Sequence, residues 1–454
     1  MFGTTEMLIL VAVLLTLVFT GVHIAVSLGT AAMLGIYLMT KDMGVVANFL
    51  GSTAYEAVRD YVFAVIPLFM LMGEFLAKCG AATDMFTLIN RATKLVPGRL
   101  AVATVLSNAV FAFVTGVSIA AAAAFSKIAY PEMKRYGYNT SFSLGCISGS
   151  ACLGMLIPPS VLMIVWAILT ELSIGDLFLS GILPGFLLVS LYLLYILGAS
   201  IVRPQLVGEM SRGAVASARA QGRPTRRNDH EAPLSITTII STLLVIGLVA
   251  GTLGGIWLGF FTPTEGAGVG AAASLLLAIG KGVRFKEIRE VVLSVGRTLA
   301  PLLLLLFTAQ LYSRVLTMTG FTRTAQEFLL STGLGTWGIL ALMVLIWFAL
   351  GCIIDSISIL LLTVPIFAPI AMALGIDPLA FAMIGIIAVE TGLLTPPFGI
   401  LAFTVKAALP DENITLSQIF IGAAPYWVAL LAVIVCLAAF PEIATYLPKL
   451  FKAH

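Results

Sequence analysis

The stretch Gly154-Met-Leu-Ile-Pro-Pro159 occurs a second time as Gly392-Leu-Leu-Thr-Pro-Pro397, 238 positions further on. Both copies lie inside long apolar segments, where a double proline is costly. Proline has no N–H, and its ring clashes with the carbonyl four residues back. Pro158 and Pro159 therefore release the carbonyls of Gly154 and Met155, and Pro396 and Pro397 release those of Gly392 and Leu393. Hydrocarbon cannot satisfy a bare carbonyl, so such a break has to line a protein-buried cavity or coordinate a cation. Two breaks at matched positions predict a pair of related sites. The simpler reading of either break is a kink capped by a neighbouring serine.

The surroundings are those of a membrane protein. Hydrophobic residues make up 60% of the 454-residue chain and charged residues 10%, with a mean hydropathy of +1.08. Soluble domains carry about a quarter charged residues, so a soluble enzyme is excluded. A net charge of +3 gives no reason to expect nucleic acid. The five cysteines have no metal or disulfide spacing. The apolar N-terminus lacks a basic leader and a cleavage site, so it is read as a spanning helix.

Apolar runs long enough to span or re-enter a bilayer fall at 6–20, 21–39, 61–77, 99–130, 141–169 and 178–202. After a basic interruption at 203–233 come 235–260, 265–280, 291–317, 336–373, 378–405 and 419–447. The succession of run lengths repeats. At the offset of 238, Ser118, Ile128, Pro131 and Gly137 meet Ser356, Ile366, Pro369 and Gly375. Shared Pro and Gly positions fix bends rather than fill space, which points to duplication. The division is 1–202, a cytoplasmic loop 203–233, and 234–454.

Basic residues decide the orientation. The central loop carries Arg203, Arg212, Arg219, Arg223, Arg226 and Arg227 and is read as cytoplasmic, as are 281–290 and the Lys78–Arg99 and Lys127–Arg135 regions. Segment 41–60, Glu171 and Asp176 then lie outside, and the N-terminus with them. This works only if 99–130 and 336–373 each leave by the face they entered. Both are therefore predicted to be re-entrant hairpins, and the halves to be inverted. Asp411 and Glu412 on the inside and Lys449 and Lys452 on the outside run against the rule.

Each hairpin turns where polar or small residues interrupt it, at Thr115-Gly-Val-Ser118 and Gly351-Cys-Ile-Ile-Asp-Ser356. A tip at mid-bilayer presents one helix C-terminus, attractive to cations, and one N-terminus, attractive to anions. Set against a Pro-Pro break, it completes a cage of carbonyl and hydroxyl oxygens suited to Na⁺. An anion can rest between the tips. Thr115 and Ser118 can instead bond back within their helices. Asp355 and Glu390 are ionisable groups at mid-bilayer, costly by at least ~2.5 kcal/mol, and each can be a cation ligand, a proton carrier or a structural partner. Glu74 and Glu265 are read as caps or ion-pair partners, and the alanines at 120–124 as a close helix contact.

Taken in order, Thr115-Gly-Val-Ser118, Arg135-Tyr-Gly-Tyr-Asn139, Leu156-Ile-Pro-Pro-Ser160, Gly259-Phe-Phe-Thr-Pro-Thr-Glu265, Gly351-Cys-Ile-Ile-Asp-Ser356 and Thr391-Gly-Leu-Leu-Thr-Pro-Pro397 resemble the large membrane subunit of TRAP (tripartite ATP-independent periplasmic) transporters. The resemblance implies an all-α inner-membrane importer, driven by Na⁺, that carries small organic acids by an elevator motion of a transport domain against a scaffold. It implies two partners, a small four-helix membrane subunit and a periplasmic substrate-binding protein, neither of them fused to this chain. Na⁺ site one falls on Thr115, Ser118, Gly154, Ile157 and Pro159. Site two falls on Cys352, Asp355, Ser356, Gly392, Thr395 and Pro397. Substrate contacts fall on Thr115, Gly116, Ser118, Asp355 and Ser356. Some relatives have an acidic residue just beyond the first tip, where this chain has alanines, so no charged substrate contact is expected there. A partner-independent Na⁺- or H⁺-coupled carboxylate carrier and the membrane subunit of a Na⁺-pumping decarboxylase are the rival readings.

Overall fold

The computed structural model describes residues 4–59, 61–208, 235–409 and 413–452, and every regular element among them is helical. The first half opens with α1 (Thr4–Phe19), α2 (Ile24–Thr40), α3 (Met43–Arg59) and α4 (Val65–Lys78). Next come α5 (Ala81–Ala92), α6 (Arg99–Thr115), α7 (Ser118–Arg135) and α8 (Thr140–Ala151). The single turn α9 (Leu153–Leu156), α10 (Val161–Thr170) and the long α11 (Ile174–Val202) complete it. The second half comprises α12 (Ile236–Trp257), α13 (Pro263–Gly280), α14 (Phe285–Thr319), α15 (Phe321–Ser331) and α16 (Gly335–Gly351). It continues with α17 (Ser356–Ala373), α18 (Pro378–Leu393), α19 (Ile400–Ala408), α20 (Leu416–Ala439) and α21 (Glu442–Lys452). Among the described residues, seven helices are long and apolar enough to cross a membrane, or eight if α15 and α16, bent by 118°, count as one path.

Local chemistry explains the boundaries. Asn139 caps α8 by accepting the Phe142 N–H at 3.1 Å, and Asp377 caps α18 by accepting those of Leu379 and Ala380 at 2.9 and 3.1 Å. A short polar side chain at this position satisfies an N–H that the helix cannot. The two caps are 238 residues apart, as are Gly137 and Gly375, whose φ angles are 77° and 76°. Helices α7 and α17 likewise start at Ser118 and Ser356. Glu265 forms a capping box with Thr262, its carboxylate accepting the Thr262 N–H at 2.8 Å.

Several elements lie outside the apolar runs. Segment 41–60, expected to be an external connection, contains α3, and the basic connection after α4 contains α5. Helix α14 begins at Phe285, so Lys286 and Arg289 belong to a helix rather than to a loop. At 35 residues it is about 52 Å long, well beyond a hydrocarbon core of about 30 Å. Most of the central basic loop, with Arg212, Arg219, Arg223, Arg226 and Arg227, and also Asp411 and Glu412, lies outside the described residues.

Packing joins the halves. Helix α8 crosses α20 so closely that a Cβ on Gly145 would stand 2.0 Å from the Gly422 carbonyl oxygen. Small residues permit such backbone approach, and dispersion gains from it are available in lipid as well as in water. Trp166 of α10 meets Trp347 of α16 and Phe381 of α18 at centroid distances of 5.9 and 5.8 Å, and Trp347 Nε1 donates to Thr363 Oγ1 at 2.7 Å. Ala121 and Ala122 are fully buried. At the periphery, Lys281 pairs with Asp84 at 2.5 Å, Lys78 with Glu287 and Glu290 at 3.8 and 3.7 Å, and Lys452 with Asp176 at 2.6 Å. Arg314 pairs with Glu56 and donates to Thr53.

Candidate cation and substrate site

The first tip is shaped by one glycine. Helix α6 ends at Thr115, and Gly116 follows with φ 61° while its N–H returns to the Ala112 carbonyl. A Cβ on Gly116 would lie 2.2 Å from the Pro159 carbonyl oxygen, so only glycine fits both the left-handed backbone and the space. Val117 is extended and Ser118 starts α7. The tip rests on the first break: Val161 N–H donates to the Gly116 carbonyl at 3.3 Å. A Cβ on Gly154 would stand 3.1 Å from the Ser118 nitrogen.

The second tip is built from different residues but meets its own break in the same way. Helix α16 ends at Gly351, and Asp355 caps α17 by accepting the Ser358 N–H at 3.1 Å. Gly351 and Gly392 abut, a Cβ on Gly392 falling 2.6 Å from the Gly351 Cα. Cys352 Sγ lies 3.0 Å from Thr395 Oγ1, which donates to the Gly392 carbonyl at 2.9 Å. Thr395 and Cys352 are both buried. Each predicted tip is thus in contact with its predicted break.

Both Pro-Pro bonds, Pro158–Pro159 and Pro396–Pro397, are cis. Two of the four carbonyls released by the prolines have local donors. Ser160 Oγ donates to the Met155 carbonyl at 2.5 Å, and Gly392 receives the Thr395 N–H at 3.0 Å besides its hydroxyl. The serine-capped kink is therefore present at the first break. A carbonyl oxygen has a second lone pair, so this occupancy still leaves acceptor capacity. The breaks differ in exposure. Pro158, Pro159 and Ser160 are buried, whereas Pro396, Pro397 and Phe398 are exposed.

Between the tips lies Glu390, 1% exposed. Ser118 Oγ donates to its Oε2 at 2.6 Å and Ser356 Oγ to its Oε1 at 3.1 Å. Its backbone carbonyl accepts the Cys152 thiol at 3.7 Å across a sequence separation of 238, the repeat offset itself. Ser118 therefore faces across to the other half and does not bond back within α7. Thr115 does bond back, Oγ1 donating to the Phe111 carbonyl at 3.2 Å. Asp355 is exposed, its carboxylate engaged at the α17 N-terminus. Ile157 is buried and extended between the two pieces of the first broken path. Glu390 was legible as a mid-bilayer charge, but its two hydroxyl donors, 272 and 34 residues away, carry no local signal.

The arrangement sets the C-termini of α6 and α16 beside the two breaks, and the N-termini of α7 and α17 meet at one buried carboxylate, that of Glu390. Cations suit the first feature and anions the last.

The comparisons with known proteins agree over almost the full length. Residues 11–443 match the family model described as "Tripartite ATP-independent periplasmic transporter, DctM component". The chain is 32% identical over 427 residues to the C4-dicarboxylate TRAP transporter large permease protein DctM of Pseudomonas aeruginosa, covering 93% of this chain and 94% of that protein. It is 26% identical to the sialic acid TRAP transporter large permease protein SiaM of Vibrio cholerae, covering 97% and 98%. Its fold is similar to the crystal structure of the Alcanivorax borkumensis YdaH transporter, with a TM-score of 0.61 at 14% identity over 91% of this chain and 88% of that one. With helices that break where the motifs said they would, and a family match running nearly end to end, this multi-pass membrane chain belongs to the DctM component family of TRAP transporters and is a transporter rather than an enzyme.

Proposed function

We propose that this chain is the large permease subunit of a Na⁺-coupled secondary importer of a small organic acid, a C4-dicarboxylate, a sialic acid or a similar carboxylate, in the bacterial inner membrane. Na⁺ is cargo here, held at one pocket by Thr115, Ser118, Gly154, Ile157 and Pro159. At the other it is held by Cys352, Asp355, Ser356, Gly392, Thr395 and Pro397. The acid sits between the tips, near Thr115, Gly116, Ser118, Asp355 and Ser356, where the N-termini of α7 and α17 supply partial positive charge. A small four-helix membrane subunit and a periplasmic substrate-binding protein complete the assembly. The tips and broken helices move together as an elevator against a scaffold that includes α2, α4, α13 and α14.

The observation that carries this reading is the seating of two hairpin tips on two Pro-Pro breaks at one sequence offset, with Ser118 and Ser356 both bonded to Glu390 between them. The inverted topology has support of its own. Four ion pairs between distant elements among the described residues join groups assigned to one face: Lys281 with Asp84 and Lys78 with Glu287 inside, Arg314 with Glu56 and Lys452 with Asp176 outside. The last pair sets the tail lysine Lys452 on the same face as Asp176.

Uptake into proteoliposomes tests the proposal. Accumulation is expected only with an inward Na⁺ gradient, the small subunit and the binding protein together. Transport by this chain alone would favour a partner-independent carrier, and uphill Na⁺ export on decarboxylation would favour the decarboxylase subunit.

A further inference from the structure

One carboxylate serves both tips. Ser118 and Ser356 open α7 and α17, in opposite halves, and each gives its only hydroxyl hydrogen to a different oxygen of Glu390. A hydroxyl has one donor and two acceptor lone pairs. With the hydrogen committed to Glu390, the lone pairs of each serine turn away from the carboxylate, toward the tip that carries it. Near Ser118 that surface is the seat of Val117 and Ser118 on Gly154, and near Ser356 it is the contact of Gly351 with Gly392 and of Cys352 with Thr395. Neither serine can orient itself this way by bonding to its own helix, since neither has a preceding helical turn.

We propose that Glu390 is a shared positioning residue, which fixes the hydroxyls of Ser118 and Ser356 as cation-facing acceptors and so makes the two pockets depend on one side chain. The inference rests on the reading of the tips as Na⁺ pockets and adds a link between them. Glu390 needs no contact with the ion to do this. Cys152, which occupies the matching place in the first half, is a thiol that donates to the Glu390 main-chain carbonyl, so the first half contributes no second carboxylate to the pair.

A glutamine at this place keeps the shape but replaces one acceptor oxygen with an NH₂ donor. One serine must then accept from the amide and swing its hydrogen toward the pocket, where it opposes a cation. The test is the Na⁺-dependent rise in melting temperature of the purified permease complex in detergent, alongside the Na⁺ activation curve of uptake. Choline chloride keeps ionic strength constant. Glu390→Gln is expected to raise the Na⁺ concentration at half-response on the order of tenfold, with melting in Na⁺-free buffer near that of the wild type. Adding Ser118→Ala or Ser356→Ala to Glu390→Gln should cost less than either does alone. A wild-type Na⁺ response in Glu390→Gln, or effects that simply multiply, would overturn the proposal.

A second measurement leaves Glu390 in place, in case the glutamine variant does not fold. Ser118→Ala and Ser356→Ala are combined, and their fold-changes in Na⁺ half-response are expected not to multiply, because both hydroxyls share one carboxylate. Threonine at either position, which keeps the hydroxyl, should restore the response. Independent, multiplying effects would overturn the shared role. If the wild-type complex shows no response to Na⁺ at all, the Na⁺ reading falls and takes this one with it, whereas a wild-type response that Glu390→Gln leaves intact removes only the shared role.

Discussion

Thr395 carries two duties in one hydroxyl, donating to the Gly392 carbonyl and lying against the Cys352 thiol. Thr395→Ala is expected to raise severalfold the Na⁺ concentration that half-activates uptake while leaving the protein inserted. An unchanged activation curve would count against the second pocket. Asp355→Ala should do the same and also lower the melting temperature, since an N-cap is worth about 1 kcal/mol. Asp355→Ser, which can still cap, should recover the melting temperature. Gly116→Ala tests the close approach at the first tip. An alanine there pays about 1–2 kcal/mol for its left-handed backbone and places a methyl against the Pro159 carbonyl. Loss of uptake with a lower melting temperature is the expected result, and normal uptake would mean that the tip need not touch the break. These residues were legible in the sequence because they are glycines and polar side chains stranded in apolar runs. Glu390 was visible for the same reason, but its bridging role was not, because a hydrogen bond between residues 272 positions apart leaves no periodic trace.

Among the elements, the turns and breaks of the helices were legible and the connecting helices were not. Proline and glycine set hard limits on where a helix can run, so the turns at Gly116 and Cys352 and the breaks at 157–160 and 394–399 fall where the motifs place them. Helices α3, α5 and α15 went unseen because they are amphipathic, with Asp84, Arg91, Arg323 and Glu327 on polar faces, and a search for unbroken apolar runs passes over them. The same search cut the basic first turns from α14. The breaks themselves give the element-scale prediction. Pro158→Ala/Pro159→Ala supplies two N–H groups and removes two ring clashes, so the α9–α10 path can close into a continuous helix that withdraws its carbonyls. Transport should be abolished in a protein that still reaches the membrane, as judged by membrane fractionation beside the uptake assay. A fully active double variant would contradict the role given to these carbonyls.

Across the whole molecule, the proposed topology rests on the arrangement of charge at the helix ends. Tyr55 of α3 is 67% exposed and Leu95, after α5, is 97% exposed, and the proposed topology sets them on opposite faces. In cells, a membrane-impermeant maleimide should label Tyr55→Cys from the periplasm and reach Leu95→Cys only after permeabilisation. The reverse pattern would invert the topology. The five native cysteines are buried or half-buried, which keeps the background low. Ser160 and Phe398 stand at equivalent places in the two breaks, yet the first is fully enclosed and the second 56% exposed. A thiol introduced at each becomes a two-channel clock for the transport cycle: Phe398→Cys should be modified quickly and Ser160→Cys slowly in the posture described, and a condition that exchanges those two rates marks passage to the opposite posture, with no substrate flux needing to be followed.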